Sequence, residues 1–176
     1  MDPEPIELGD CRLVLATEAH APGLFGLLND EAVAPWLGGT RSLEAVVAAI
    51  LAEREHFEVH GFAPWVVLDD ATDQVVGRGG LRWIELLGNR EVELFYAVAP
   101  SRWGRGLATS LSHVALHVGF ESVGLESIVA FTTEPNLASQ RVQAKLGMVH
   151  EGSFERAGLP HVLTRITRDQ YRATSA

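Results

Sequence analysis

The sequence predicts an α+β fold organised around a mostly antiparallel sheet, and three patterns support this expectation. Apolar residues alternate with the period of strands in three consecutive runs, at 64–68, 74–83 and 90–98. The short links between these runs, at 69–72 and 88–89, predict an antiparallel meander. Apolar residues at helical spacing fill three further segments, at 17–30, 42–59 and 107–118.

The predicted elements follow the order β-α-α-β-β-β-α-β-α-β-β. A first strand covers 11–16, and the helix after it tolerates Pro22 because that residue falls in the first turn. Ser42 and Glu44 indicate the start of the second helix. Beyond the meander and its following helix, the remaining elements are a strand at 127–133, a helix from Asn136 to Gly147, and a strand pair near 148–152 and 162–167.

A chain of 176 residues fits one domain, which we expect to cover 11–176. Two prolines and three acidic residues fall within the first nine positions, so residues 1–10 are expected to form a loose lead-in. Cys11 is the one cysteine in the sequence, which excludes an internal disulfide and a cysteine metal cluster. We expect Cys11 to be a buried thiol rather than a nucleophile.

The net charge of −9 argues against a broad contact with nucleic-acid phosphates and favours cationic partners, amines included. Solubility alone is the alternative explanation of this charge. The acidic start of the chain is unlike a secretory signal, and no apolar run approaches the roughly 20 residues of a membrane span. We therefore expect a cytoplasmic protein that binds neither nucleic acid nor membrane.

A glycine-rich turn, Gly104-Arg105-Gly106, joins the strand at 90–98 to the helix after it. Glycine permits close backbone approach, and the first turn of a helix offers unpaired N–H groups at the positive end of its dipole. The turn therefore predicts an anion site, with an ordinary tight turn as the alternative. The residues after Gly106 fit neither the Walker loop nor the three-glycine dinucleotide motif.

The six residues from Trp103 to Ala108 resemble the acyl-CoA loop of the GCN5-related N-acetyltransferase (GNAT) superfamily, Q/R-x-x-G-x-G/A, with Trp103 in place of Gln or Arg. A second family motif, N-x-x-S/A and then K-L-G-F, is similar to 136–139 and 145–148. Segments 12–15 and 28–38 resemble the opening strand and first helix of the ribosomal-protein N-terminal acetyltransferase (RimJ/RimL-like) branch. The resemblance spans the chain from about 12 to 171.

This resemblance implies a three-layer α/β/α fold with a mixed, mostly antiparallel sheet and a splayed strand pair at the acetyl-CoA site. By position, main-chain groups of Tyr96, Ala97 and Val98 would bind the pantetheine of acetyl-CoA, the expected co-substrate. Asn136 would contact the pantetheine or the acceptor, with helix capping as the alternative. The pyrophosphate would be held by the loop and the first helical turn: Trp103, Gly104, Arg105, Gly106, Leu107, Ala108 and Thr109. The resemblance also leaves open a homodimeric assembly.

Acetyl transfer to an amine needs a proton acceptor for the nucleophile and a donor for the leaving thiolate. Glu91 and Glu93 are candidate bases, because strand alternation places both on one face with Phe95 near the expected thioester, Glu93 being the closer. The alternative is that both glutamates lie on a solvated face or hold the amine electrostatically. The family's usual tyrosine donor is replaced by Gln143, which leaves Ser139 as the candidate, with an ordinary first-turn serine as the alternative.

His113 and His117 lie four residues apart on one predicted helix face, a spacing that two metal ligands can use. Val114 stands where a metalloprotease helix has glutamate, and no third ligand is indicated. We therefore expect surface histidines and no metal.

The sequence thus predicts an acetyl-CoA-dependent N-acetyltransferase in which a primary amine attacks the thioester directly in a ternary complex. The acceptor stays open between a protein N-terminal α-amine and a small-molecule amine, such as an antibiotic, a polyamine or an amino-acid-like toxin. A noncatalytic acyl-CoA-binding sensor is a third alternative, because the glycine loop fits it equally well. Loops at 36–41, 88–89 and 154–160 are expected to select the acceptor.

Overall fold

The computed structural model describes residues 2–175, and its strands form one mixed sheet. The strands are β1 (Ile6–Leu8), β2 (Cys11–Leu15), β3 (Trp65–Asp69), β4 (Val75–Leu86), β5 (Asn89–Val98), β6 (Ser127–Thr133), β7 (Val149–Arg156) and β8 (Leu159–Thr167). Their order across the sheet is β1-β2-β3-β4-β5-β6-β8-β7. Strands β5 and β6 are parallel, and every other neighbouring pair is antiparallel.

Helices cover both faces of this sheet. They are α1 (Ala21–Leu28), α2 (Leu43–His60), α3 (Leu107–His117), α4 (Leu137–Lys145) and α5 (Arg168–Ser175), and one wider turn, Val118–Val123, extends α3. Helices α1 and α2 pack on one face, whereas α3, α4 and α5 contribute to the core on the other face. The predicted three-layer α/β/α fold with a mixed, mostly antiparallel sheet is confirmed.

The larger core lies between the sheet and α3. Leu111 and Leu116 of α3 are fully buried against Leu94 of β5 and Ile128 of β6. Full burial of a side chain of this size contributes about 1.5–3 kcal/mol relative to exposure in water. The two strands that later frame the candidate site are therefore fixed from one side by the larger core.

The boundaries of α2 follow from its sequence. Ser42 lies before the first turn and its hydroxyl accepts a hydrogen bond from the Ala45 N–H at 3.2 Å, as the Ser42 and Glu44 pattern predicted. Gly61 ends the helix in a left-handed conformation with φ of +75°, which costs little for glycine.

The N-terminal segment differs from the loose lead-in expected for residues 1–10. Ile6–Leu8 forms β1, which pairs with β2 through a tight turn at Gly9 and Asp10. Gly9 has a φ of +72°, and the side chains of Ile6 and Leu8 pack against the larger core. The sequence predicts a loop here because the prolines and acidic residues around Ile6 and Leu8 indicate a loop more strongly than two alternating apolar residues indicate a strand.

Two further boundaries differ from the sequence prediction. The hairpin between β4 and β5 turns at Leu87 and Gly88 rather than at 88–89, and both turn residues have positive φ, as a two-residue hairpin of this type requires. Helix α5 was not predicted, because the ring of Tyr171 against Phe120, at 5.0 Å between centroids, is its main apolar anchor. A single anchor gives no helical periodicity to detect.

Among residues 2–175, no helix combines the length and the hydropathy that crossing a bilayer would require.

Candidate functional site

The centre of the sheet opens between β5 and β6. Across these two fully described strands, Glu93 and Val129 form the one register pair, whereas β4 and β5 pair along their whole length. Beyond that pair the strands separate, so the edge of β5 at 96–98 faces a gap instead of a neighbouring strand. This unpaired stretch between β5 and β6 is here called the gap.

The glycine turn after β5 presents open space to a ligand. Gly104 and Gly106 have φ of +73° and +81°, and no heavy atom lies within 4 Å of a Cβ built on either residue. The glycines are therefore required by the backbone conformation, and the space beside them is free for a group that approaches the main chain.

Gly106 also lies at the N-terminus of α3. The first intrahelical bond runs from the Ser110 N–H to the Gly106 carbonyl at 2.9 Å, so the N–H groups of Leu107, Ala108 and Thr109 precede the bonded part of the helix. The indole N–H of Trp103 donates to the Val98 carbonyl at 2.7 Å and ties the turn to the end of β5. The sequence-predicted loop residues are thus brought together at one helix end.

A cavity of about 310 Å³ lies beside this helix end. Arg105 and Ser110 line one side of it, and the β1–β2 hairpin, through Gly9 and Asp10, lines the other. Asp10 forms an ion pair with Arg102 at 2.6 Å, which fixes the hairpin beside the loop. Sequence reasoning missed this role of the hairpin, since no local pattern indicates that residues 8–10 reach the turn at 102–106.

On the α3–α4 side of the gap, a hydroxyl pair links β5 with α4. Tyr96 Oη lies 2.9 Å from Ser139 Oγ and donates to the Ser139 carbonyl at 3.2 Å. Burial raises the pKa of Tyr96 from 10 to about 12, against a smaller opposite effect of the Ser139 hydrogen bond. Tyr96 therefore stays protonated at neutral pH, and its hydroxyl can donate a hydrogen bond to Ser139.

Two other residues of the second motif have structural partners. The side-chain oxygen of Asn136 accepts from the Ser139 N–H at 3.1 Å and caps α4, which leaves the Asn136 amide nitrogen for other contacts. Gln143 is buried, and its oxygen accepts from the Thr164 hydroxyl at 3.2 Å. The position that carries a tyrosine in the resembled family is thus engaged in the core.

The opposite side of the gap carries a buried carboxylate. Glu93 is 3% exposed, and its Oε2 accepts a hydrogen bond from Nε of Arg82 at 2.7 Å. The guanidinium of Arg82 lies 4.2 Å from the centroid of the Phe95 ring, so it is held by the carboxylate and by the aromatic face together. Within residues 2–174, no hydrogen-bond partner occupies the second oxygen, Oε1.

Glu91 lies on the same face but is fully engaged. Both of its carboxylate oxygens accept from Arg165, at 2.8 and 2.9 Å, and Arg165 also binds Glu151 at 2.9 Å. These carboxylates raise the pKa of Arg165 further above its ordinary value. A carboxylate with both oxygens bound to one guanidinium is poorly placed to accept another proton, so Glu93 is the more suitable candidate.

Aromatic side chains flank the same face beyond β6. Phe131 packs edge-on against Phe154, with ring centroids 5.3 Å apart, and His161 stacks on Phe154 at 5.5 Å. The guanidinium of Arg156 lies 5.0 Å from the centroid of Phe131. The opening is therefore bordered by arginines on the β4 side and by aromatic rings on the β6–β8–β7 side.

The remaining sequence candidates lie away from the gap. Cys11 is fully buried in β2, where burial raises the pKa of its thiol, as expected for a packed rather than a reactive cysteine. His113 and His117 are exposed on α3, as predicted.

Comparison with known proteins gives a consistent family. Residues 11–149 match the family model described as an acetyltransferase (GNAT) domain. YoaA of Bacillus subtilis, described as an uncharacterized N-acetyltransferase, is 25% identical over 145 residues, which cover 80% of this chain and 81% of that protein. The FsC-acetyl coenzyme A-N(2)-transacetylase of Aspergillus fumigatus is 29% identical over 102 residues, covering 54% of this chain and 43% of that protein.

Solved structures share the fold at low sequence identity. A protein from Bordetella pertussis, described as a GnaT-family acetyltransferase, has a TM-score of 0.81 at 20% identity and covers 93% of this chain and 99% of its own. The ribosomal-protein-S5-alanine acetyltransferase of Vibrio fischeri has a TM-score of 0.81 at 21% identity, with coverage of 96% and 99%.

Proposed function

This chain belongs to the GNAT family of acetyltransferases, and from that premise we propose that it moves an acetyl group from acetyl-CoA to a primary amine by direct attack in a ternary complex. The observation that carries the proposal is the open glycine turn beside the separated strands β5 and β6. A phosphate group fits the open glycine turn, and an extended chain fits the unpaired edge of β5. Acetyl-CoA contains both, in its pyrophosphate and its pantetheine.

The loop and the first turn of α3 would hold the pyrophosphate through main-chain N–H groups, chiefly those of Gly106, Leu107 and Ala108. The pantetheine would run along the open edge of β5 at 96–98, which directs the thioester toward the gap. Arg105 lies in the neighbouring cavity and is suited to screen phosphate charge. The amide nitrogen of Asn136, not used in capping, is available to the pantetheine.

In the reaction, the amine nitrogen attacks the carbonyl carbon of the thioester, and the carbon–sulfur bond then breaks. The amine gives up one proton and the departing thiolate takes one. Glu93 is suited to receive the first proton, directly or through a water molecule, because its Oε1 is unoccupied while Arg82 fixes Oε2. Its position at the last β5–β6 pair puts it where the strands begin to separate.

The second proton would pass to the sulfur through the Ser139 hydroxyl, which takes a proton from water as it gives up its own, so that no alkoxide remains. Either hydroxyl can be the donor across the 2.9 Å between Tyr96 Oη and Ser139 Oγ. When Tyr96 directs its one hydrogen to Oγ rather than to the Ser139 carbonyl, the serine keeps its own hydrogen for the sulfur. Tyr96 can fill this role because it stays protonated at neutral pH. The pair would replace the donor that Gln143 cannot supply.

Two acceptor classes are compatible with this chemistry. The fold neighbour from Vibrio fischeri, named for a ribosomal protein, supports a protein N-terminal α-amine. The arginines over Phe95 would suit a small-molecule amine that also carries an anionic group.

Thiol release from acetyl-CoA tests the function. The protein is incubated with acetyl-CoA and one class of amine at a time: peptides bearing free N-termini, polyamines, aminoglycosides or free amino acids. We expect amine-dependent thiol release with at least one class. Tight acetyl-CoA binding without amine-dependent release from any class would favour the acyl-CoA sensor.

A further inference from the structure

Three arginines lie on the acceptor side of the gap, and two of them lie over one aromatic ring. Arg78 and Arg82 project from the same face of β4, with their guanidinium carbons 5.7 and 4.2 Å from the centroid of Phe95. Arg41, in the loop between α1 and α2, lies on the same face of the sheet. Its guanidinium donates to the carbonyl of Leu37, and Leu37 packs against the core cluster that contains Ala97, the residue opposite Arg78 in the β4–β5 register. The cluster formed by Arg41, Arg78 and Arg82 is here called the arginine cluster.

The members of the arginine cluster differ in their partners. Arg78 forms a buried ion pair with Glu53 of α2, and Arg82 pairs with Glu93. Arg41 instead donates to two main-chain carbonyls, those of Leu37 at 2.9 Å and Gly39 at 3.2 Å. Within residues 2–174, no carboxylate forms an ion pair with Arg41.

The position of Arg41 is fixed by the fold and not by a charge. Its N–H donates to the Asn29 side-chain oxygen at 2.7 Å, and its carbonyl accepts from the Asn29 amide at 3.0 Å. These bonds join the loop to the end of α1, so the half-buried guanidinium is held beside two like charges without a counter-ion.

The arginine cluster carries a positive charge that no carboxylate within residues 2–174 pairs with. Three guanidinium groups face two carboxylates, a surplus of one positive charge in a chain whose net charge is −9. Burial lowers the pKa of Arg41 from its usual value, and Arg78 and Arg82 lower it further. Glu91, the other carboxylate on this face of β5, does not compensate, because both of its oxygens accept from Arg165.

The arginine cluster also lies where an acceptor must approach. Tyr96 and Ser139 occupy the α3–α4 side of the gap, which the proposed cofactor site uses. Phe95 points to the opposite face by strand alternation, and Arg78 on that face pairs with Glu53 of α2, so the arginines lie on the α1–α2 side. An amine that reaches the thioester from the free side would therefore pass over Phe95. This step rests on the proposed function.

We propose that Arg41, together with the exposed edge of Arg82, binds a carboxylate of the acceptor, so that the substrate is a small amine carrying a carboxylate next to its amino group, as a free amino acid does. The planar guanidinium suits a carboxylate, and two such groups give it orientation as well as charge. A polyamine or an aminoglycoside would add positive charge beside an uncompensated arginine. A peptide N-terminus has an uncharged amide where this site requires the anion.

Binding to the CoA complex tests the inference without turnover. Free L-phenylalanine, L-methionine and L-glutamate, and the α-carboxamide of each, are titrated by calorimetry into protein saturated with CoA. We expect at least one amino acid to bind roughly 10- to 100-fold more tightly than its carboxamide, the range of a charge-assisted hydrogen bond. A peptide with a free N-terminus should behave like the carboxamides.

Variants separate charge recognition from loop structure. Arg41→Gln should abolish the preference for the acid while leaving carboxamide binding unchanged, and Arg41→Lys should keep part of it. Arg90→Gln is the matched control, because Arg90 stacks on Trp83 and its loss also removes one cation; its preference should equal that of the wild type.

Three results would overturn the inference: equal affinity for acids and carboxamides, equal weakening of both by Arg41→Gln, or tightest binding by the peptide. The CoA titration that precedes each experiment reports on the proposed function separately. If CoA binds but no preference for acids is seen, the inference fails and the acetyltransferase proposal stands. If CoA does not bind, the proposed function fails, and the inference that rests on it fails with it.

Discussion

At the scale of single residues, Tyr96 links the cofactor strand to the helix that carries Ser139. Its hydroxyl is 2.9 Å from Ser139 Oγ, and its ring fills space beside the main core. A buried phenol with a raised pKa is a donor at every pH at which the protein is expected to work. The sequence showed the tyrosine and the serine, but nothing in it indicated that residues 43 positions apart meet.

The raised pKa of Tyr96 predicts a specific pH dependence of stability. The folded protein keeps the Tyr96 proton up to about 12, whereas the unfolded chain loses it near 10. The associated stabilisation is present below the lower value and is lost as pH rises toward the higher one. Urea unfolding across this interval should show a smaller loss in Tyr96→Phe than in wild type; identical profiles would show that the phenol is not buried as described.

Glu93 is the residue whose role matters most for rate. Glu93→Gln keeps the size of the side chain and removes its basicity, so kcat should fall roughly 100-fold with CoA affinity unchanged. At a pH where the amine is already neutral in solution, the variant should recover much of that loss. A defect that is constant with pH, or a raised acceptor KM with normal kcat, would make Glu93 a binding residue.

Glu91→Gln is the comparison for this experiment. It lies two positions away on the same strand face, and its carboxylate is bound by Arg165. We expect a lower free energy of unfolding, because a partly buried ion pair is broken, with kcat changed much less than in Glu93→Gln.

At the scale of elements, the glycine turn and α3 act as one unit. The turn delivers the chain to the helix with φ near +80° at Gly106, and the Cβ of any other residue would project into the open space that the pyrophosphate is proposed to occupy. The backbone conformation of the turn and the proposed access of the pyrophosphate to it therefore both depend on Gly106.

Gly106→Val should abolish measurable CoA binding, because the side chain fills that space and strains the backbone. Gly61→Val is the matched control, since Gly61 also has positive φ and open space around its Cβ, but ends α2 away from the loop. Calorimetry should find normal CoA affinity in the control. Normal affinity in a folded Gly106→Val protein would remove the loop from the cofactor site.

Arg105→Ala should weaken CoA binding less than Gly106→Val does. Its guanidinium is exposed, so its attraction to phosphate is partly screened, and the loss should be accompanied by a weaker dependence of affinity on salt. Affinities of both variants at several salt concentrations measure this ranking. A larger loss for Arg105→Ala would show that side-chain charge outweighs main-chain geometry.

The elements themselves followed closely from sequence where the local signal was strong. The prediction for β6, 127–133, matches its observed bounds, and the Ser42 cap begins α2. Strand β1 was missed because three residues flanked by prolines and acids form a strand only through pairing with β2. Helix α5 was missed because its packing depends on a ring contact with α3's extension.

At the scale of the whole molecule, the site is assembled by the sheet order rather than by local sequence. The cofactor loop was predictable from its glycines, but the arginine cluster joins residues from β4 and from the α1–α2 loop. One pair was within reach: a two-residue turn at Leu87 and Gly88 sets Arg82 opposite Glu93. The turn predicted at 88–89 does not set these two residues opposite each other, because the register of a hairpin follows from the position of its turn.

On the proposed function, an acetyl group passes from acetyl-CoA to an amine on this protein. The most direct measurement follows isotope-labelled acetyl from acetyl-CoA into the acceptor by mass spectrometry, with wild type, Glu93→Gln and Gly106→Val compared on the acceptor that gives the fastest thiol release. We expect the label on the acceptor nitrogen in amounts equal to the thiol released, slower formation with Glu93→Gln and none with Gly106→Val. Thiol release without labelled acceptor would contradict acetyl transfer, and equal labelling by all three proteins would show that neither Glu93 nor the glycine turn takes part in it.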